Sequence, residues 1–317
     1  MSAAKNMLSN IPLEAGLERA LSTRLLAYIK LIRPKQWIKN LFVFAPLIFA
    51  KELFDPFHQL LALQAFTAFS LVASAVYIVN DIADVEADRA HPLKKQRPLA
   101  ARTISFTEAF VAAGVLLGGA ALLCIGMDYR FTLLLPLYFL MNLAYSFKLK
   151  QVVLLDVFII AAGFMMRVVS GAYAIGVQTS TWLVLCTMFI SLFLGFAKRR
   201  SELMQMPDSS FAERRVLERY RVSFLDQMLT IAAAGTVISY ALYTVAPRTM
   251  QIFGTDKLIY TTVFVIYGVF RYLYLIHTTS TTDKPADVVT SDMPILITAI
   301  LWILSCIVFI YFKGGMQ

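Results

Sequence analysis

The sequence predicts an all-α, polytopic membrane protein with about nine transmembrane helices. Of its 317 residues, 59% are hydrophobic and only 15% are charged, and the mean hydropathy is +0.68, a composition unlike that of a soluble domain. Roughly 20 apolar residues are needed to cross a bilayer, and stretches of about that length recur along the whole chain. They lie at 37–54, 60–82, 107–126, 130–147, 152–173, 180–197, 223–247, 258–276 and 294–312.

The distribution of positive charge predicts the orientation in the membrane. Of the 29 Lys and Arg residues, 23 lie in the N-terminal segment and the even-numbered loops, and 5 lie in the other loops or the C-terminus. By the positive-inside rule the N-terminus is cytoplasmic and the C-terminus is outside, in a plasma membrane of the bacterial (inner-membrane) type. The net charge of +9 therefore reflects topology, and we expect no nucleic-acid partner.

Two regions differ in character. Residues 1–34 are predicted to form an amphipathic segment on the membrane surface, and residues 35–317 a single transmembrane domain. The amphipathic pattern consists of leucines that recur every four positions beside basic residues, at Leu13, Leu17, Leu21 and Leu25.

Acidic residues cluster at the cytoplasmic end of the second apolar stretch, in the sequence NDIADVEAD. Steps of three and four residues place Asp81, Asp84 and Asp88 on one face of a helix. Three stacked carboxylates repel one another, and the helix C-terminus adds partial negative charge, so a cation is needed. Mg²⁺ takes one or two carboxylates and completes its shell with water and phosphate oxygens. We predict that Asp81, Asp84 and Asp88 are catalytic and hold Mg²⁺ together with Asn80.

Two further kinds of structure can contain an acidic run of this length. A calcium-binding hand is excluded, because no glycine lies at the required turn and no glutamate closes the loop. A solvated acidic loop that pairs with the following lysines and arginine is the simpler alternative. The membrane surface disfavours it, since anionic lipids there make acids unfavourable.

A basic loop, HPLKKQRP, follows the aspartates directly. Pro92 and Pro98 break helical structure and can turn the loop back over the helix end. Lys94 and Arg97 could then reach an anion held by the metal. Carboxylates, a metal and nearby cations together predict a diphosphate site.

These residues resemble a known family. The stretch NDIADVEADRAHPLKKQRP is similar to the first aspartate-rich motif, NDxxDxxxD, of the UbiA superfamily of intramembrane prenyltransferases. Further stretches resemble its branch of decaprenyl-phosphate phosphoribosyltransferases: LIRPKQWIKNLFVFAPLIFAKEL, YSFKLKQVVLLDVFIIAAGFMMRVVSGA and FLGFAKRRSEL. The resemblance covers roughly residues 28–295 and implies helices arranged around a central cavity that opens to the cytoplasm.

The chain departs from the commoner family pattern after the sixth apolar stretch. Aromatic prenyltransferases of this superfamily carry a second aspartate-rich motif there, whereas this sequence has KRRSEL, with Lys198, Arg199 and Glu202. Lysine and arginine bind phosphate without a metal, so this cluster suits additional phosphates. The alternative is that it serves only topology and the binding of anionic lipids.

The resemblance, with this substitution, implies a specific reaction. It is the transfer of 5-phosphoribosyl from 5-phosphoribosyl 1-diphosphate to a decaprenyl-type polyprenyl phosphate, with Mg²⁺ as cofactor and release of diphosphate, in a pathway to cell-wall arabinan. Competing hypotheses are an aromatic polyprenyltransferase of the same superfamily and an ion-coupled transporter. A transporter would place its ion site near the midplane, not at the cytoplasmic rim. Self-association of the chain is left open.

Further polar residues are candidates for substrate binding. Lys35, Lys39 and Asn40 stand at the start of the first apolar stretch, where interfacial snorkelling is the alternative role for the lysines. The resemblance adds two residues at the end of the fourth stretch. Two more lie within the fifth, where an ionisable residue is a functional candidate by default, although a structural partner in another helix is an equal alternative for the arginine. These four are Tyr145, Lys148, Asp156 and Arg167.

Overall fold

The computed structural model describes residues 22–205, 216–278 and 291–312, and these residues form α-helices and short 3-10 helices without a β-strand. In chain order the α-helices are α1 (22–32), α2 (Ala45–Phe49), α3 (Pro56–Ala83), α4 (Val85–Ala90), α5 (Phe106–Leu123), α6 (Tyr129–Phe147), α7 (Leu155–Ala174), α8 (Thr181–Gln205), α9 (Val222–Val245), α10 (Pro247–Phe253), α11 (Thr262–Thr278) and α12 (Met293–Tyr311). The 3-10 helices are Pro34–Phe44, Lys94–Gln96, Leu149–Gln151, Leu217–Arg219 and Lys257–Thr261.

The chain divides into two compact units. The first unit comprises Met1–Asn40 and Thr67–Ile125, and the second comprises Leu41–Phe66 and Gly126–Gln317. Helix α3 runs continuously through the point of division.

Local sequence signals set the start of several helices. In the first unit, α5 begins with a capping box in which the Ser105 hydroxyl accepts from the Glu108 backbone N–H and the Glu108 carboxylate accepts from the Ser105 N–H. In the second unit, the Asp292 side chain accepts from the N–H of Ile295 at the start of α12. These caps satisfy N–H groups that have no partner inside the helix.

The core of the second unit is formed where α7, α8 and α9 pack together. Val157, Phe193, Leu225 and Leu229 are all at most 1% exposed. The packing is close enough that a Cβ added to Gly235 on α9 would lie 2.4 Å from the ring of Phe189 on α8. This close packing aligns the start of α7 with the end of α8, and these two ends carry several of the predicted site residues.

Seven helices of the described residues are long and apolar enough to cross a membrane, which confirms the all-helical, multi-pass architecture. They are Pro56–Ala83, Phe106–Leu123, Leu155–Ala174, Thr181–Met204, Val222–Val245, Lys257–Thr278 and Met293–Tyr311. The expected count of nine is not confirmed. The stretch predicted at 130–147 forms α6, which contains Pro136 and does not reach that degree of apolarity.

The first apolar stretch, 37–54, does not form the continuous spanning helix that was expected. It consists of the 3-10 helix Pro34–Phe44, the five-residue helix α2 and a loop. The backbone carbonyl of Val43 lies against Gly171 on α7, so close that a Cβ on Gly171 would be 2.0 Å from that oxygen. Tertiary contact with α7 therefore positions this stretch, which composition alone could not indicate.

Part of the predicted amphipathic segment 1–34 lies outside the described residues, namely 1–21 with Leu13, Leu17 and Leu21. The remainder forms α1 and its connection to Pro34, in which Leu25 and Leu26 are exposed and Leu31 is buried.

We predict that Gly171→Ala lowers the melting temperature of the purified protein, because the new methyl group collides with the Val43 carbonyl. Gly268→Ala in α11 is the matched control. A Cβ at Gly268 meets no atom within 4 Å, so its melting temperature should equal or exceed that of the wild type. Equal melting of Gly171→Ala and wild type would contradict the close approach.

Candidate functional site

The predicted aspartate motif lies where α3 ends, in the first unit. Asp81 is in the last turn of α3, Asp84 follows the helix, and Asp88 belongs to α4. The carboxylates of Asp81 and Asp88 are buried, with these residues 1% and 2% exposed, whereas Asp84 is half-buried. Backbone hydrogen bonds from Asp84 N to Asn80 O (2.9 Å) and from Asp88 N to Asp84 O (2.8 Å) continue the helical spacing across the break.

Two arginines neutralise the buried carboxylates. Nη1 of Arg97 lies 3.1 Å from Oδ1 of Asp81 and 2.6 Å from Oδ2 of Asp88. Nη2 of Arg33 also donates to Oδ1 of Asp81, and its guanidinium lies over the Tyr77 ring at 5.3 Å. A charge removed from water needs such partners, because an unpaired buried carboxylate is strongly destabilising.

The expectation of three aspartates on one face of a single helix was wrong in detail. Helix α3 ends at Ala83, and Asp81 and Asp88 converge on the nitrogen of Arg97. Among the described residues, one group of three acidic or histidine side chains brings its ligand atoms within 4.8 Å of one another. It consists of Glu52, Asp55 and His58 and lies in the second unit.

The donor set of the motif nevertheless suits a hard divalent cation. Two carboxylate oxygens already face one positively charged nitrogen, and carboxylate oxygens are the ligands that Mg²⁺ prefers. A bound cation would compete with Arg97 for the same two oxygens. Asn80 is half-buried one residue before Asp81, where it can contribute further to such a site.

The basic residues near this motif differ from the expectation. Arg97 pairs with the aspartates themselves, where it was predicted to bind an anion. Arg33 was not predicted, although it directly precedes Pro34 in the quoted stretch LIRPKQ. Asn40 is fully buried and donates to the Ser70 hydroxyl at 2.9 Å, which ties it to α3. Lys35 is exposed, and two lysines are half-buried, Lys39 and Lys94.

A second charged cluster lies in the second unit, at the N-terminal end of α7 and the C-terminal part of α8. Asp156 and Arg199 are both at most 1% exposed, and Nε of Arg199 lies 2.9 Å from Oδ2 of Asp156. The Arg199 guanidinium also contacts the Glu202 carboxylate and donates to the Tyr145 hydroxyl at 3.3 Å. The structure therefore joins four sequence-predicted residues: Tyr145, Asp156, Arg199 and Glu202.

Tyr220 completes this cluster and was not predicted from the sequence. Its hydroxyl donates to Oδ1 of Asp156 at 2.7 Å and accepts from the backbone N–H of Leu154 at 2.7 Å. Leu154 has a φ of 68°, which is unfavourable for a branched side chain. Burial, and then the bond to Asp156, raises the pKa of the Tyr220 phenol, so that it remains a donor at neutral pH. Nothing in the local sequence around Tyr220 indicates this contact.

The other predicted residues of the second unit do not join the cluster. Arg167 is buried within α7, where it donates to the Gly163 carbonyl (2.8 Å) and the Tyr138 hydroxyl (2.9 Å). Its guanidinium also lies 5.0 Å from the centre of the Tyr138 ring, so its contacts in α6 and α7 favour the structural alternative. Lys148 is exposed, and the exposed Lys198 reaches Glu202 only at 4.0 Å.

We predict that Tyr220→Phe lowers the free energy of unfolding by about 1–3 kcal/mol, since Asp156 and the Leu154 N–H both lose a buried partner. Chemical denaturation of the detergent-solubilised protein measures the change. Tyr260→Phe removes a hydroxyl from a residue that is 68% exposed and should leave the free energy unchanged. A wild-type value for Tyr220→Phe would mean that its hydrogen bonds do not stabilise the cluster.

The chain is similar to known proteins of one family. The profile of the UbiA prenyltransferase family matches residues 41–291. The chain is 36% identical over 219 residues to a decaprenyl-phosphate phosphoribosyltransferase of Mycolicibacterium smegmatis, covering 68% of this chain and 69% of that protein. It is 36% identical over 223 residues to the protein of the same name from Mycobacterium tuberculosis (strain H37Rv), covering 68% of this chain and 72% of that one.

A solved structure shares the fold. A UbiA homolog from Archaeoglobus fulgidus, bound to GPP and Mg²⁺, aligns with a TM-score of 0.67 at 20% identity, covering 90% of this chain and 99% of that one. At this identity the likeness concerns the fold alone. With the family match over most of its length and relatives above one third identity, the chain belongs to the UbiA prenyltransferase family.

Proposed function

We propose that this protein transfers the 5-phosphoribosyl group from 5-phosphoribosyl 1-diphosphate to a decaprenyl-type polyprenyl phosphate and releases diphosphate. The relatives that carry the name of this activity support the proposal, and the family indicates a transferase. The observation that carries the proposal is the buried Arg199, which is held by Asp156 and Glu202. Aromatic prenyltransferases of the superfamily carry an aspartate-rich motif at this position instead. Arginine in place of aspartate favours a phosphate that is bound without a metal.

We assign the donor diphosphate to the aspartate motif. Asp81, Asp84 and Asp88, with Asn80, would hold Mg²⁺, as carboxylates do in phosphate-binding sites. When bound, Mg²⁺ supplies Lewis-acid stabilisation of the charge on the departing diphosphate. Arg97 and Arg33 stabilise the two buried carboxylates before the metal and donor bind, and Arg97 is then able to turn toward a phosphate oxygen.

The substrates supply the remaining chemistry. A phosphate oxygen of the polyprenyl phosphate attacks the anomeric carbon, and the bond from that carbon to the diphosphate oxygen breaks with its electron pair. The attacking phosphate is ionised at neutral pH, so no side chain needs to remove a proton. Catalysis then rests on positioning and electrostatic stabilisation. Arg199 and the exposed Lys198, Lys148 and Lys35 are assigned to the other phosphates of the two substrates.

The cellular setting is part of the proposal. A multi-pass protein with this charge distribution would lie in a bacterial-type inner membrane, with the N-terminus and both charged clusters toward the cytoplasm and the C-terminus outside. The donor is water-soluble and would enter from the cytoplasm, whereas the acceptor is a lipid. The product would feed a pathway to cell-wall arabinan.

The activity is tested with the purified full chain, labelled phosphoribosyl diphosphate and decaprenyl phosphate. Label in the lipid fraction that requires Mg²⁺ and is abolished by chelation is the expected result. No labelled lipid, with transfer from a prenyl diphosphate to an aromatic acid, would replace the proposal with aromatic prenyltransfer. Ion transport that does not need Mg²⁺, with no transfer of a phosphoribosyl or prenyl group, would favour a transporter.

Asp84→Asn should lose at least about 100-fold in turnover while keeping its melting temperature, because Asp84 is half-buried and the amide keeps the shape of the carboxylate while removing its charge. Asp256→Asn is the matched control: it makes the same chemical change at an exposed loop residue of the second unit and should retain full turnover. Wild-type turnover of Asp84→Asn would remove this residue from the site.

Arg97→Gln should make the stability of the protein depend on divalent cations. Without Arg97, Asp81 and Asp88 lose the nitrogen they share, so the melting temperature in chelator should fall. Mg²⁺ binds the freed carboxylates and should raise the melting temperature of Arg97→Gln more than that of wild type. Lys95→Gln removes an exposed charge from the same loop and should respond to Mg²⁺ like wild type. An equal response of Arg97→Gln and wild type would contradict a metal site at Asp81 and Asp88.

A further inference from the structure

A cavity of about 660 Å³ lies in the second unit, away from the Asp156–Arg199 cluster. It is bounded by the ends of α2, α7 and α9, the start of α8, and α10. Ala172 on α7 lines it, 16 residues and therefore about 24 Å along the helix from Asp156. The cavity is thus at the opposite end of α7 from the charged cluster, and the proposed reaction does not use it.

The walls of the cavity are apolar and well ordered by packing. Tyr243 and Phe253 are 3% and 1% exposed, and Ala172 is fully buried. The rings of Phe49 and Tyr243 meet edge to face with centroids 5.8 Å apart. Trp182, at the start of α8, adds a third aromatic surface. Walls built from several helices form a preformed pocket of the size that holds small ligands.

The polar part of the lining carries positive charge. Arg248 is exposed, and among the lining residues, all within the described part of the chain, it is the one with a charged side chain. Its Nη2 donates to the amide oxygen of Gln178 at 2.8 Å, a neutral acceptor that leaves the charge unbalanced. The start of α8 adds partial positive charge, since the backbone bond from Val184 N to Ser180 O is the first of that helix. Hydroxyls of Thr179, Ser180 and Thr181 lie in the same lining.

We propose that this cavity binds an anionic phospholipid. The phosphate lies at Arg248 and the adjoining hydroxyls, and the proximal part of an acyl chain lies against Tyr243, Phe253 and Trp182. A cation and hydroxyls at an exposed edge, followed by an aromatic pocket, match a molecule with an anionic head and an apolar body. The membrane around a multi-pass protein supplies such a ligand. A free phosphate ion would share the same head-group contacts but would gain nothing from the apolar walls.

The test measures binding of short-chain phosphatidylglycerol to the delipidated, purified full chain by native mass spectrometry, with no transferase substrate present. Wild type should bind it more tightly than phosphatidylcholine of the same chain length, and Arg248→Gln should weaken its binding at least about tenfold. Arg130→Gln is the matched control. Arg130 lies over the ring of Tyr173 (5.6 Å), next to Ala172 on α7, but does not line the cavity, so its binding should equal wild type.

A second variant tests the apolar part. Ala172→Leu fills the cavity from its wall and leaves Arg248 in place, so it should lose phosphatidylglycerol binding while its melting temperature reports folding. Wild-type binding by Arg248→Gln, or equal binding of both lipids, would overturn the proposal. Displacement of the lipid by inorganic phosphate at equal concentration would assign the site to a free anion instead. Asp84→Asn should bind the lipid like wild type, which separates this result from the fate of the proposed transferase activity.

Discussion

Pairing of buried carboxylates with arginine is the interaction on which both charged clusters of this protein depend. In the first unit Asp81 and Asp88 share Arg97, and Arg33 adds a second cation. In the second unit Asp156 is paired with Arg199, itself only 1% exposed. Charges removed from water are tolerated only when partners of opposite sign replace the lost hydration. The clusters are therefore rigid parts of the fold as well as candidates for binding phosphates.

This pairing has a consequence for metal binding. A divalent cation at the aspartate motif must compete with a guanidinium that already contacts both buried carboxylates. Arginine keeps its charge at any physiological pH, so it leaves the carboxylates only when another cation and another anion replace both partners. A metal that arrives with a diphosphate satisfies that condition, because the phosphate oxygens accept the hydrogen bonds that Arg97 loses. A divalent metal bound together with a diphosphate would therefore replace Arg97 more readily than the metal alone.

The second cluster holds one arginine in place through several polar contacts. Tyr220 and Glu202 hold Asp156 and Arg199 in place through short contacts, and Tyr145 from α6 completes the surroundings of the arginine. A direct arginine–phosphate contact needs a fixed guanidinium plane, and this network supplies it.

The sequence by itself determined the helical membrane class, the family, and the residue types of both clusters, because long apolar stretches and the NDxxDxxxD spacing are local properties of the chain. It also singled out Tyr145, Asp156, Arg199 and Glu202 as candidates, and the structure brings these four residues into contact. The tertiary structure alone decided that residues 37–54 form a 3-10 helix and a short α2 against Gly171, and that Arg33 and Tyr220 belong to the clusters. These features depend on contacts between residues far apart in the chain, 64 positions in the case of Tyr220 and Asp156, and such contacts leave no periodic pattern in the sequence.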